Sequence, residues 1–331
     1  MTDLSQGRIL VTGGAGFIGS ALVWELNRRG IENILIADFL GDDGKWKNLV
    51  PLRFVDYVEA DSLLALVQES SYLLTDIRTM FHLGACSSTT ETDAAYLIHN
   101  NYEYSKTLAH FALESGRRFV YASSAATYGS RETGLSENLP LSGLLPLNMY
   151  GYSKHRFDCY ADHLGMLGRI TGLKYFNIFG PNENHKGDMR SVVNKAFHQI
   201  AESGALSLFK SYRPEYADGA QCRDFLYVKD AVAATVFLAE HVDGGGLFNV
   251  GSGEAHTWLE LANAIFAAIG REPRVDFIDM PDELRGKYQY FTQADISKLR
   301  AAGFTQAITP LREAVCDYVQ NYLQPGLYLG N

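Results

Sequence analysis

Cysteine is scarce in this chain. Cys86, Cys159, Cys222 and Cys316 stand far apart, and none falls in a Cys-x-x-Cys spacing. That argues against a disulfide frame and a zinc site; it reads as free thiols in a reducing compartment, with no metal ligand set. Long apolar runs are missing as well. No stretch approaches the roughly 18 uncharged apolar residues that cross a bilayer. The opening residues, Met1-Thr2-Asp3-Leu4-Ser5-Gln6-Gly7-Arg8, lack the basic start and apolar run of a secretory signal. The expectation is a cytoplasmic protein with no membrane partner. Excess positive charge is also absent: the formal net charge is -9, which disfavours nucleic acid as a partner, since a phosphate backbone calls for a basic surface. A small anionic substrate stays open, because a few local Arg and Lys residues suffice to hold a diphosphate. Internal repeats and low-complexity tracts are lacking too.

What is present is an ordinary globular balance. The chain has 331 residues, 47% hydrophobic and 20% charged, enough for two domains or for one large α/β unit with an added lobe. Arg8 to Thr12 is a short apolar run stopping at Gly13-Gly14, the pattern of a buried parallel strand that ends in a turn. Phe17 to Arg29 has helical spacing, with Ile18, Ala21, Leu22 and Leu26 on one side and Gly30 as its C-terminal stop. Further strands are expected at Ile34 to Ala37, Phe54 to Val58, Met80 to Leu83 and Phe119 to Ala122, with a long helix from Glu91 to Ser115. This alternation predicts an α/β fold, a Rossmann-type doubly wound parallel sheet. After Tyr175-Phe176-Asn177 a loop signal, Gly180 to Gly187, breaks the pattern. Residues 1–178 are therefore expected to hold a dinucleotide, with segments near 223–250 returning to that unit. Residues 179–331 are expected to form mainly a smaller C-terminal substrate-binding lobe.

Two constellations carry chemistry. The first is Gly13, Gly16 and Gly19 between the first strand and the first helix. Glycines so placed allow a tight turn, close approach of backbone to a pyrophosphate, and close helix–strand packing. The helix N-terminus offers amide groups and a partial positive charge to phosphate. Asp38 follows at about the spacing of a ribose-binding acid. A carboxylate there favours NAD, whereas Lys45, a little further on, is suited to the 2′-phosphate of NADP; spacing leaves both open. The second is Tyr150 and Lys154, which share one face of a helix. A lysine ammonium beside a phenol of ordinary pKa ≈ 10, together with a positive nicotinamide ring, favours tyrosinate and proton transfer. Ser124, at the end of the fifth strand, places a hydroxyl where it can steady a developing carbonyl.

Thr12-Gly13-Gly14-Ala15-Gly16-Phe17-Ile18-Gly19, Ala122-Ser123-Ser124 and Tyr150-Gly151-Tyr152-Ser153-Lys154 resemble the extended short-chain dehydrogenases, the NAD-dependent epimerase/dehydratase family. The segments His82 to Glu91, Asn100-Asn101-Tyr102, Tyr175 to Pro181, His185-Lys186-Gly187, Arg223 to Val228 and Leu284 to Gln289 resemble the branch of that family acting at C6 of ADP-glycero-manno-heptose. The resemblance spans nearly the whole chain. It implies an isomerase that oxidises a carbon and reduces it again with bound NADP (NAD being the alternative), on an ADP-sugar, in making precursors of the lipopolysaccharide core. It implies a dinucleotide site that includes Phe17, Ile18, Asp38, Phe39, Lys45, Leu83, Gly84, Ala85, Cys86, Ser87, Asn100, Tyr150, Lys154, Ile178 and Lys186. Ser87, Asn177, Asp188, Lys195, Phe209, Arg223 and Tyr288 would contact the sugar nucleotide, and members form closed homo-oligomers, a pentamer being one form.

In the same reading Tyr150 and Lys186 are the two acid/base residues, with Ser124 and Lys154 completing the catalytic set. For Lys186 a phosphate anchor is the competing role, and His185 is the alternative base. The chain departs from the branch at Leu83, Asp188 and Lys195. A 4,6-dehydratase is disfavoured because Ser124-Ala125-Ala126 offers no carboxylate. A hexose 4-epimerase is the nearer alternative, and a non-catalytic dinucleotide-binding regulator the more distant one.

Overall fold

The run Ile9-Leu10-Val11 is buried completely, as a strand covered on both faces must be. It forms β1 (Arg8–Thr12), near the middle of a seven-stranded, wholly parallel sheet. The computed structural model describes residues 2–286 and 288–331; Met1 and Lys287, both within segments read above, lie outside it. The first six strands are β1, β2 (Ile34–Asp38), β3 (Asp56–Glu59), β4 (Ile77–His82), β5 (Arg118–Ser124) and β6 (Thr171–Tyr175). Four short strands follow: β7 (Asn177–Phe179), β8 (Leu206–Phe209), β9 (Cys222–Arg223) and β10 (Phe225–Tyr227). The series ends with β11 (Gly246–Val250), β12 (His256–Thr257) and β13 (Val275–Ile278). The sheet runs β11-β6-β5-β4-β1-β2-β3. The chain builds outward from β1 in one direction, then returns to β4 and builds the other way. The point of reversal, between β1 and β4, opens a crevice at the strand C-termini, where such sheets bind ligands.

Helices cover both faces. On one side α1 (Phe17–Arg28) packs beside the later helix Val228–His241. On the other lie α2 (Ala60–Gln68), α3 (Ala94–Leu97), α4 (Tyr104–Glu114) and α5 (Met149–His163). The long helix expected from Glu91 starts only at Ala94, where the Asp93 carboxylate caps it by accepting from the Tyr96 amide at 2.9 Å. A π-type turn, Ile98–Glu103, interrupts it before α4. Beyond β7, α6 (Val192–Ser203) packs on Trp258–Ile269, and β8 pairs with β13. The apolar core of this region is continuous with that of the sheet: one cluster runs from Val11 and Phe81 through Phe225 to Ile200 and Ile265. Among the described residues no helix is long and apolar enough to cross a membrane.

Candidate active site

At the reversal point β1 ends and the chain turns sharply into α1. Gly19, in the first turn of α1, lies so close to this loop that a Cβ would stand 2.0 Å from the Gly13 carbonyl oxygen. Only glycine lets the helix N-terminus, with its unpaired amides, sit this near the strand end. The Asp38 carboxylate, at the end of β2, ties the loop down, accepting from the Ala15 amide at 2.9 Å and the Gly16 amide at 3.2 Å. Its other oxygen accepts from the Phe39 amide at 2.8 Å and faces the Lys45 ammonium at 3.6 Å. Burial raises the Asp38 pKa, with Lys45 as the largest opposing influence.

Beneath the loop runs a buried chain of side chains. Ser105 donates to the Asn101 carbonyl at 2.6 Å, so the His82 Nε2–H, 2.8 Å away, donates to Ser105. The His82 Nδ1 then accepts from Thr12 at 2.7 Å, and Thr12 accepts from the Gly84 amide at 3.2 Å. Burial pushes the imidazole down to about 3, so it is neutral and serves as a brace between β1 and β4.

The cleft's other wall is α5, whose N-cap Asn148 accepts from the Gly151 amide at 2.8 Å. Gly151 brings this helix against the end of β5: a Cβ there would lie 2.8 Å from the Ala126 carbonyl oxygen. Tyr150 and Lys154 both face the cleft beside Ser124. Burial raises the Tyr150 pKa, and a hydrogen bond from Ser124 opposes the rise. The Lys154 ammonium donates to the Ala122 carbonyl at 2.8 Å, and burial brings it down to about 8. Beneath the pair, the fully buried Asp158 carboxylate accepts from Tyr121 at 2.9 Å, Ser123 at 2.7 Å and the buried Lys174 ammonium at 2.8 Å.

Lys186 enters from a short 3-10 stretch, Asn184–Met189, and its ammonium lies 5.6 Å from the centre of the Phe17 ring. Burial lowers the Lys186 pKa, with the Glu183 charge opposing. Its neighbour His185 falls to about 4, chiefly by burial. Asn48 links this loop to the glycine turn: its amide donates to the Ala15 carbonyl at 2.9 Å and the Asn182 carbonyl at 3.0 Å.

The cleft, of about 650 Å³, gathers Gly13, Gly16, Phe17, Ile18, Gly19, Asp38, Lys45 and the stretch Leu83 to Ser87. With them it gathers Ser124, Tyr150, Lys154, Asn177, Ile178 and Lys186. Other expected residues lie off this lining. Phe39 is exposed beside Asp38, and Asn100 bonds to its neighbour Asn101 at 3.2 Å. Asp188 and Lys195 are exposed, joined by a 3.1 Å bond from the lysine to the Asp188 carbonyl. Phe209 sits in β8, opposite Ile278. Arg223 is buried, 5.7 Å from the Trp258 ring and 5.1 Å from the Tyr288 ring, and Trp258 itself lines the cleft.

Sequence reasoning missed Asn101, which clamps Cys86 through its amide and carbonyl (2.9 and 3.0 Å) and reaches Ser153 on α5 at 3.0 Å. An asparagine inside an otherwise helical stretch is the signal that could have found it. It also missed Asp158, placed one turn beyond Lys154 on α5.

Residues 9–251 match the NAD dependent epimerase/dehydratase family. The chain belongs to this family. The family member from Nitratidesulfovibrio vulgaris (strain DP4) named ADP-L-glycero-D-manno-heptose-6-epimerase is 51% identical over 315 residues, 95% of this chain and 97% of its own. Among solved structures, the ADP-L-glycero-D-manno-heptose-6-epimerase of Helicobacter pylori superposes with a TM-score of 0.81 at 26% identity, covering 97% of this chain and 98% of that one. The UDP-glucose 4-epimerase of Thermus thermophilus, solved as a complex with NAD, gives 0.75 at 25% identity, covering 97% and 100%. Family membership makes the chain an epimerase-type enzyme of a nicotinamide dinucleotide. The site suits such a group: the glycine turn leaves no room for side chains, the first residues of α1 line the cleft, and a cation stands beside Asp38.

Proposed function

We propose that this chain interconverts the D-glycero and L-glycero forms of ADP-D-manno-heptose by inverting C6. The observation that carries the reading is the placement of Tyr150 and Lys186 in one cleft, from separate elements, with Ser124 beside the phenol. The 51% identity to an enzyme of that name supports it. Inversion through a planar carbonyl calls for proton donors and acceptors on both faces of the carbon. Tyr150 serves one face and Lys186 the other. One takes the hydroxyl proton as the carbon is oxidised, and the second returns a proton once the opposite face is presented. Ser124 donates to the reacting oxygen. The dinucleotide, when bound, supplies the reversible hydride acceptor, and no net redox change results.

In this reading residues 1–178 mainly hold the dinucleotide, and residues 179–331 mainly form the substrate side. Lys45, 3.6 Å from Asp38, supports NADP as the preferred form, since a cation beside that carboxylate suits a 2′-phosphate. Arg223 and Tyr288 hold the ADP portion through the Trp258 wall. The enzyme works in the cytoplasm as a closed homo-oligomer.

The test is incubation with ADP-D-glycero-D-manno-heptose, following the C6 proton by NMR. Conversion to the L-glycero epimer without consumption of added dinucleotide is expected. No conversion, or a stoichiometric demand for NADP, overturns the reading.

A further inference from the structure

Glu183 is 1% exposed, yet it belongs to none of the roles above. Its carboxylate accepts from the Gly180 amide at 3.3 Å, from the Ser191 hydroxyl at 2.7 Å and from the Ser191 amide. Tyr318 donates to it as well, while the Asn194 amide holds the Tyr318 oxygen at 2.8 Å. Every one of these contacts is a donor; burial raises the carboxyl's pKa, and the Ser191 and Gly180 donors together with the Lys186 charge oppose that rise. Gly180 and Ser191 are the two ends of the loop that carries Lys186, and Ser191 is also the N-cap of α6. The Glu183 carbonyl further accepts from the Lys186 amide at 3.0 Å, closing the turn that aims the lysine.

We propose that Glu183 is a positioning residue for Lys186, pinning both ends of the loop that carries the lysine and coupling its own carboxylate to the buried ammonium. The charged and titratable groups around Lys186 are few. Its own loop carries His185, Asp188 and Arg190; Asp38, Asp43 and Lys45 come from the end of β2 and the turn after it, where both carboxylates face the Lys45 ammonium; Tyr150 and Lys154 come from α5. His185 is neutral and Asp188 exposed, and the cations Lys45, Lys154 and Arg190 do not help an ammonium. Glu183 is the carboxylate whose charge acts on Lys186. This inference rests on the reading of Lys186 as an acid/base residue only for its consequence in catalysis.

The test is competitive acetylation of Lys186 across pH, read by mass spectrometry, in wild type and Glu183→Gln. Gln keeps the shape and removes the charge, so the Lys186 midpoint should fall by about one pH unit or more. Glu183→Asp, which keeps the charge, should restore most of it. An unchanged midpoint in a folded Glu183→Gln overturns the proposal. If that variant does not fold, Lys186→Met tests the same coupling from the other partner, because the interaction is reciprocal. Without the ammonium, the Glu183 carboxyl loses an influence that holds its pKa down, so its titration, read by isotope-edited infrared spectroscopy, should move to higher pH; no movement overturns the proposal. A shifted labelling midpoint beside an unshifted pH–rate profile leaves the coupling standing and refutes the acid/base role of Lys186 instead.

Discussion

Lys154 is an ammonium group held in a place that disfavours its charge, and the cost is measurable. The residue is 4% exposed, and burial brings it from an ordinary 10.5 to about 8, even with Asp158 acting in the opposite direction. At about 1.4 kcal/mol per pH unit, that gap corresponds to about 3 kcal/mol of lost stability at neutral pH. The sign follows from proton counts. Below pH 8 the lysine is protonated in both states, and the full penalty applies. As pH rises past 8 the folded form releases its proton while the unfolded chain retains one until about 10.5, so stability rises with pH in that window. Replacing Lys154 by Met removes this one titration and leaves every other group in place. Urea denaturation of nucleotide-stripped wild type and Lys154→Met, from pH 7 to 9.5, isolates it as a difference. Wild type should gain about 2 kcal/mol on the variant between pH 8 and 9.5. A difference that stays flat, or that moves in the variant's favour, refutes the claim that Lys154 is held against its charge.

Ser124→Ala removes the hydrogen bond to Tyr150 and the 3.1 Å cap on the Ala126 amide. It should lower kcat by about 100-fold with little change in KM, as steady-state kinetics would show. Gly19→Ala forces a Cβ against the Gly13 carbonyl. It should cost about 1–3 kcal/mol in a thermal melt and weaken dinucleotide binding, whereas a fully bound variant would argue against the glycine turn as the pyrophosphate seat. Lys45→Ala should weaken NADP by about tenfold or more and leave NAD nearly unchanged in a fluorescence titration. Equal losses for both would make the lysine a structural partner of Asp38 alone.

Much of the fold was legible because it rests on local pattern. Ile9 to Val11 and Phe119 to Val120 are continuous apolar runs, and both are buried strands ending where the small or polar residues begin. β3 and β4 sit a few residues from their expected places because flanking polar residues such as Glu59 and Arg78 are tolerated at strand ends. The π-turn at 98–103 left no trace in periodicity, since it serves a tertiary contact, Asn101 with Cys86, that the local sequence does not encode. The same limit holds in the cleft. Tyr150 and Lys154 are neighbours on one helix and could be paired from spacing, but Asp158 and Trp258 gain their roles from separate elements, and Glu183 from a turn of its own loop that spacing alone does not reveal.

The Asp158–Lys174 pair shows what the helix of Tyr150 gains from such contacts. A buried ion pair is weak evidence for stability, because well-packed apolar residues often do as well. This one joins three elements at once: Asp158 on α5, Ser123 on β5 and Lys174 on β6, with the Lys174 ammonium also reaching Thr127 at 2.6 Å. Apolar side chains fill space but tolerate small slides and rotations, whereas donors aimed at two carboxylate oxygens fix both register and rotation. Lys154 and Tyr150 stand on the same face of α5, one and two turns before Asp158, so an anchor there sets the angle at which both reach the cleft. Ser123 is joined to Ser124 by one peptide bond, so the same carboxylate also fixes the end of the strand from which Ser124 projects. The phenol, the Lys154 ammonium and the strand end that carries Ser124 are thus indexed to one buried charge, and that common reference explains why a carboxylate stands where a leucine would pack.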